Sequence, residues 1–163
     1  MDIILPVAGL GTSFRPLTWS RPKPLVSVGG KPILAHVIDR VMPANPDKIV
    51  FITGFLGDQI ERWANEHYEI PLAFVEQPEM RGQTDAIVRT REVATGAGLI
   101  LFPDMVFEAD FSQLASTDAD VVIYTQEVED PAAFGVAVKD EQGLVTRLVE
   151  KPKEHVSNEA VVG

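Results

Sequence analysis

The chain has 163 residues, of which 45% are apolar and 23% charged, a composition typical of a globular protein and unlike a disordered or fibrous one. It contains no cysteine, which excludes disulfides and thiolate metal sites and is compatible with a reducing cytoplasm. Its net charge of -10 argues against nucleic acid as a partner, because a phosphate backbone is bound mainly by clustered Lys and Arg.

The N-terminal residues 1–6 carry no basic region and no long apolar run. The sequence therefore predicts neither a secretory signal nor a membrane span, and we expect a cytoplasmic location. Residues 1–40 nevertheless hold a net charge of +3, against -13 for the remaining 123 residues. A basic region in an acidic chain indicates either a small anionic ligand or a solvated surface cluster.

Apolar runs and helical patterns alternate along the chain. The run at residues 3–8 predicts a buried strand that ends at Gly9, and Pro32 begins a helical pattern that extends to about Val41. Further strands are predicted at residues 48–53, 72–76, 98–102 and 121–125, and further helices at residues 56–66 and 84–93. This order predicts an α/β fold: a Rossmann-like open sheet, mostly parallel, with helices on both faces.

The last thirty residues have a different pattern. Two apolar segments, residues 134–138 and 144–149, flank a turn-forming stretch and predict a β-hairpin. Residues 160–163 read as the start of another strand, and for that reason we expect a domain truncated at its C-terminus.

A glycine-rich loop follows the first predicted strand, with Gly9, Gly11 and Thr12 at its start and Arg15 behind them. Loops at the carboxyl ends of parallel strands line the ligand crevice, and glycines there let backbone N–H groups approach phosphate. The third glycine of a dinucleotide fingerprint is absent, since Phe14 stands there, and no Walker lysine follows. Alone, the loop is compatible with a phosphate site or with a tight turn that binds nothing.

Lys23 lies between two prolines, Pro22 and Pro24. Each proline restricts the backbone and disfavours helix, so the ammonium group is held at low entropic cost. Such a lysine suits a phosphate-binding point charge, although a lysine in this setting also occurs in ordinary surface loops.

Together, residues 5–34 resemble the signature of the nucleoside triphosphate transferases that act on sugar 1-phosphates, a family of thymidylyl-, cytidylyl-, uridylyl- and guanylyltransferases. The matching segments are Gly9-Leu10-Gly11-Thr12-Ser13, Arg15-Pro16-Leu17-Thr18, Pro22-Lys23-Pro24-Leu25 and Lys31-Pro32-Ile33-Leu34. Later segments agree in order, beginning at Gln77-Pro78, Asp104, Phe134-Gly135, Glu150-Lys151-Pro152 and Ser157-Asn158.

The resemblance implies a role for each matching residue. It implies that Arg15, Lys23 and Lys151 make the catalytic contacts to the phosphates. The residues that it implies in nucleotide binding are Ala8, Gly9, Gly11, Thr12, Gln77 and Gly82. Sugar binding falls on Gly135, Glu150 and Val161. Asp104 is implied as a ligand of catalytic Mg²⁺, with a second aspartate ligand expected beyond residue 163.

The resemblance also implies the reaction and the organisation. A nucleoside monophosphate passes from a nucleoside triphosphate to a sugar 1-phosphate, and pyrophosphate is released. Residues 1–163 are expected to form one incomplete nucleotidyltransferase domain, with residues 1–105 binding the nucleotide and residues 106–163 beginning the sugar-binding portion. Members of this family often assemble as homo-oligomers, and neither the base nor the sugar is specified by this sequence.

Two alternatives remain open at this level. Ser13 stands where the family pattern has arginine, which favours a catalytically weak regulatory or nucleotide-sugar-binding homologue of the same fold. A nicotinamide-dependent Rossmann oxidoreductase is disfavoured because the third glycine is missing.

Overall fold

The computed structural model describes residues 1–105, 107–109, 111, 114 and 117–162. The chain divides into two compact units, residues 1–111 and residues 112–163. None of the helices in the described ranges has the length and apolar character needed to cross a membrane.

The first unit is built on a four-stranded parallel sheet. Its strands are β1 (Asp2–Pro6), β4 (Lys48–Thr53), β5 (Leu72–Glu76) and β6 (Gly98–Ile100), in the order β5-β4-β1-β6. The two central strands are almost entirely buried, which explains their continuous apolar runs. A short antiparallel pair, β2 (Ser27–Val28) and β3 (Lys31–Pro32), precedes the first helix.

Three helices cover this sheet on both faces: α1 (Ile33–Val41), α2 (Gly57–His67) and α3 (Gln83–Val88). Alternate residues of β1 point to opposite sides, so Ile3 and Leu5 pack with the buried residues of α1 and α2, whereas Ile4 packs with Ala86 of α3. This confirms the predicted α/β class with a mostly parallel sheet. The third helix is shorter than predicted, because the chain continues from Arg89 to Glu92 as a 3-10 turn.

The second unit contains a separate antiparallel sheet. Its strands are β7 (Thr125–Glu127), β8 (Gly135–Lys139), β9 (Val145–Glu150) and β10 (Glu159–Val161), in the order β7-β10-β8-β9. The predicted hairpin is confirmed as β8 and β9. Strand β10 pairs with both β7 and β8.

The strand predicted at residues 121–125 is wrong for most of its length. Residues 121–124 form no strand, and β7 begins only at Thr125 and joins the antiparallel sheet. Val121 and Val122 are exposed, so this apolar run is not the buried element that its composition indicates. An apolar run alone does not specify a partner strand, which is why the pattern was misleading here.

Candidate active site

The candidate site of the first unit lies along the carboxyl edge of the parallel sheet. The glycine loop follows β1, Gly54 follows β4, Gln77 follows β5, and Asp104 lies four residues beyond β6. Since the four strands are parallel, these segments all leave the same edge. The backbone N–H of Gln77 donates to Thr53 O at 2.8 Å, which joins the β5 end to the β4 end.

The backbone passes very close to itself where β1 and β4 end. A Cβ atom added to Gly54 would lie 2.9 Å from the carbonyl oxygen of Ala8. Ala8 is buried, and Val7 N donates to Ile52 O at 2.9 Å. The start of the glycine loop is therefore held firmly against the neighbouring strand.

The position of Gly11 leaves little room for a side chain. It adopts a positive φ of 61°, and an added Cβ would lie 3.0 Å from the Cβ of Lys23 and 3.1 Å from Cγ2 of Thr18. Its carbonyl accepts hydrogen bonds from the Thr18 hydroxyl at 2.7 Å and from Phe14 N at 3.0 Å. The loop consequently turns tightly over Lys23, with Thr12 exposed at the start of a 3-10 turn.

Lys23 is the charged residue at the centre of this cluster. The two flanking prolines are buried, and Leu25 N donates to Pro22 O at 2.9 Å. The Lys23 Nζ lies 2.6 Å from Oδ2 of Asp104 and 5.2 Å from the ring centroid of Phe14. The glycine loop, Lys23 and Asp104 are thus brought together from three separate parts of the chain.

Arg15 is exposed on the same loop and forms no ion pair with any residue that the structure describes. Its guanidinium therefore remains available to a ligand. Ser13, the neighbouring departure from the family pattern, is also exposed.

Gln77 and Gly82 form a second cluster farther along the edge. Gln77 is only 5% exposed, and its Nε2 donates to Gly82 O and to Oδ2 of Asp85, each at 3.0 Å. Arg89 donates to both carboxylate oxygens of Asp85, at 2.8 and 3.3 Å. The hydrogen bond from Arg89, followed by that from Gln77, holds the pKa of Asp85 below its usual value.

Sequence reasoning missed Asp85 and Arg89 at this site. Their spacing of four residues predicts an ion pair on one helical face, and that pair is present. The spacing does not indicate that the Asp85 carboxylate also accepts a hydrogen bond from Gln77.

The remaining predicted residues lie in the second unit. Gly135 and Glu150 are register partners in β8 and β9, and a Cβ on Gly135 would lie 3.0 Å from Oε2 of Glu150. Lys151 follows with a positive φ of 42°, and its N–H donates to Phe134 O at 3.0 Å. Val161 is half-buried in β10, which is the other neighbour of β8.

The side chains around Asp104 determine whether a metal ion could be held there. Among the described residues no group of three or more His, Cys, Asp or Glu side chains converges on a metal position. A single carboxylate, half exposed, still suits Mg²⁺, because that ion is usually held by one or two carboxylates, water and substrate phosphates. In the structure this carboxylate accepts from the ammonium of Lys23 at 2.6 Å.

Comparisons with known proteins agree with this architecture. A family model described as nucleotidyl transferase matches residues 2–163, and the chain belongs to this family. It is similar to the bifunctional protein GlmU of Methanocaldococcus jannaschii, with 34% identity over 97% of this chain and 38% of that protein. It is also similar to the UTP--glucose-1-phosphate uridylyltransferase AglF of Haloferax volcanii, with 29% identity over 100% of this chain and 70% of that protein.

A structural comparison supports the same fold. A crystal structure of UDP-glucose pyrophosphorylase complexed with UDP-glucose aligns with a TM-score of 0.84 and 23% identity, over 99% of this chain and 73% of that one. At this identity the likeness shows the fold alone. The chain spans well under half of its GlmU relative.

Proposed function

We propose that this protein transfers a nucleoside monophosphate from a nucleoside triphosphate to a sugar 1-phosphate and releases pyrophosphate. The observation that carries the proposal is the cluster at the carboxyl edge of the sheet. There the Gly11 turn packs on Lys23, and Lys23 contacts Asp104. Membership in the nucleotidyl transferase family supports the same reaction.

The reaction needs positioning and charge neutralisation more than covalent help from the protein. An oxygen of the sugar phosphate attacks the α-phosphorus in line, and the bond from that phosphorus to the bridging oxygen of the β-phosphate breaks. Pyrophosphate leaves with the bonding electron pair. The attacking phosphate is already largely ionised at neutral pH, so no general base is required.

Each residue then has a role that its surroundings support. Backbone N–H groups from Ala8 to Thr12 and the exposed guanidinium of Arg15 bind the triphosphate. Lys23, held between buried prolines, neutralises charge at the transferring phosphate. Gln77 and Gly82 contact the base.

Asp104 is the residue that would hold Mg²⁺ together with phosphate oxygens and water. The ion, when bound, would supply charge neutralisation on the triphosphate. Lys23 would then exchange its contact with Asp104 for a contact with phosphate. In the second unit, Glu150 would bind sugar hydroxyls beside Gly135 and Val161, and Lys151 would bind the sugar phosphate.

The test is pyrophosphate release by the purified protein with Mg²⁺ and a panel of nucleoside triphosphates and sugar 1-phosphates. We expect release with at least one pair, and its loss in Lys23→Met. Absence of release with every pair would overturn the proposal.

Ser13 favours a second candidate, a nucleotide-sugar-binding homologue with little turnover. Its hydroxyl cannot form the bidentate hydrogen bonds to phosphate that an arginine forms. Nucleotide-sugar binding without pyrophosphate release would support this candidate. Under the transferase proposal, Ser13→Arg is expected to raise kcat/KM for the triphosphate, because the exposed position has room for a second guanidinium.

A further inference from the structure

The side-chain amide of Gln77 is held in one orientation. Its Nε2 lies 3.0 Å from both Gly82 O and Oδ2 of Asp85. A backbone carbonyl only accepts hydrogen bonds, and an ionised carboxylate does the same. Both hydrogens of the amide nitrogen are therefore engaged by acceptors.

The charge state of Asp85 maintains this arrangement. Arg89 donates to both of its oxygens, and the pKa of Asp85 is lowered by that contact and then by Gln77 itself. A flipped Gln77 would place its carbonyl oxygen against two acceptors and lose both hydrogen bonds. In a residue that is 5% exposed, water does not readily replace such lost partners.

The other end of the amide remains available. Within the described part of the chain, every buried side-chain oxygen or nitrogen has a hydrogen-bond partner. Oε1 of Gln77 accepts no hydrogen bond from these residues, so it is not one of those buried atoms. This oxygen is consequently reachable by solvent. It lies at the carboxyl edge of the sheet, where Gln77 follows β5.

We propose that Asp85 and Arg89 are positioning residues that hold Gln77 as a hydrogen-bond acceptor, and that this selects nucleotides whose base has an N–H at the centre of its Watson–Crick edge. This inference rests on the proposed nucleotidyl transfer and on the base contact assigned to Gln77. Uracil, thymine and guanine have such an N–H. Cytosine and adenine have a lone pair at the equivalent ring nitrogen, which in the same pose would face Oε1 of Gln77.

The size of the preference follows from leaving two acceptors face to face in a partly buried site. We expect UTP, dTTP or GTP to bind roughly 10- to 100-fold more tightly than CTP and ATP. Calorimetric titration of the full chain with each triphosphate and Mg²⁺ measures this directly. Equal or tighter binding of CTP or ATP would overturn the inference.

The role of Asp85 is tested with Asp85→Asn. An asparagine side chain can donate as well as accept, so Gln77 becomes able to flip and present its NH₂ group. We expect the ratio of affinities between the preferred base and CTP to fall toward one, with kcat for the preferred substrate changed only a few-fold. A loss of affinity by the same factor for every triphosphate would instead indicate a merely structural role and overturn the assignment.

The chain offers a matched control. Asp58 and Arg62 form another pair of this spacing, on α2, and neither of them hydrogen-bonds to Gln77. Asp58→Asn removes the same charge and is expected to leave the base ratio unchanged.

Pyrophosphate release separates the two proposals. Selective binding without release would contradict the transfer proposal, whereas release with a base ratio unaltered by Asp85→Asn would contradict this inference.

Discussion

The ammonium of Lys23 lies 2.6 Å from the carboxylate of Asp104, although 81 residues separate them in the chain. The contact joins the loop after β1 to the segment after β6, two neighbouring strands of the sheet. Both side chains are partly exposed, 24% for Lys23 and 50% for Asp104. A pair of this kind contributes little to folding, about 0–1 kcal/mol, so under the proposed function the two charges matter mainly for what they bind.

Asp104→Asn should therefore separate activity from stability. We expect pyrophosphate release to fall by about 100-fold or more, because the variant loses the charge that we propose holds Mg²⁺ at the triphosphate. The free energy of unfolding, measured by urea titration, should change by less than about 1 kcal/mol. Glu108→Gln is the control, since it removes one carboxylate from the exposed pair with Arg40 and should change neither quantity appreciably. A large loss of stability in Asp104→Asn would contradict this account.

Gly11→Ala should destabilise the protein. The positive φ alone costs a residue with a side chain about 1–2 kcal/mol, and the new methyl group would press on Lys23 and Thr18. Gly9→Ala is the matched control two residues away, because a Cβ there meets nothing within 4 Å and φ is not in the left-handed region. Thermal unfolding of both variants checks the difference. Equal stability of the two variants would show that the tight turn over Lys23 is not required.

Gly135→Ala should impair the sugar substrate selectively. Its methyl group would lie 3.0 Å from Oε2 of Glu150, and the flexible end of that side chain must move away. Since only a side-chain tip is displaced, we expect little loss of stability. The KM for sugar 1-phosphate should rise several-fold while the Kd for the triphosphate is unchanged. Glu141→Gln, in the exposed hairpin turn, is the control, and an unaltered sugar KM in Gly135→Ala would refute the role of Glu150.

The low pKa of Asp85 predicts a specific pH dependence. A carboxyl group whose pKa is lowered by folding adds stability that is fully present above its ordinary value of 3.8 and is lost as the pH falls through the lowered value. The difference in unfolding free energy between wild type and Asp85→Asn should therefore be constant from about pH 7 to about pH 5 and shrink below about pH 4. The ¹³C shift of the Asp85 carboxyl should titrate below its ordinary range, and Arg89→Gln should move the midpoint upward more than Gln77→Ala does. A midpoint at or above the ordinary value would be contrary to expectation.

The parallel sheet was largely predictable from local pattern. Strands β4 and β5 coincide with the predicted residues 48–53 and 72–76 because each is a single apolar run bounded by polar or turn residues. The rule that ligands bind at the carboxyl ends of parallel strands supported the assignment of the glycine loop and Asp104, whereas Gln77 was singled out by the family resemblance. No comparable rule assigns a short apolar run such as residues 121–124 to a particular sheet, and that prediction was wrong.

The contacts within the site were not predictable in the same way. Nothing in the sequence indicates that Lys23 and Asp104 are partners, because their contact depends on the order of strands in the sheet. The orientation of the Gln77 amide depends on which atoms of Gly82 and Asp85 face it, and this is a property of three-dimensional placement alone.

Strand β1 has parallel neighbours on both sides, β4 and β6, and its apolar side chains are almost completely buried. Amide hydrogens in such a strand exchange with solvent only when the whole unit opens, so they belong to the slowest-exchanging part of a protein. The glycine loop starts directly from this strand, and Val7 and Ala8 hold its start against the end of β4. The loop to which we assign the triphosphate is therefore anchored to the last segment to unfold, so the proposed binding surface is already formed before a triphosphate arrives.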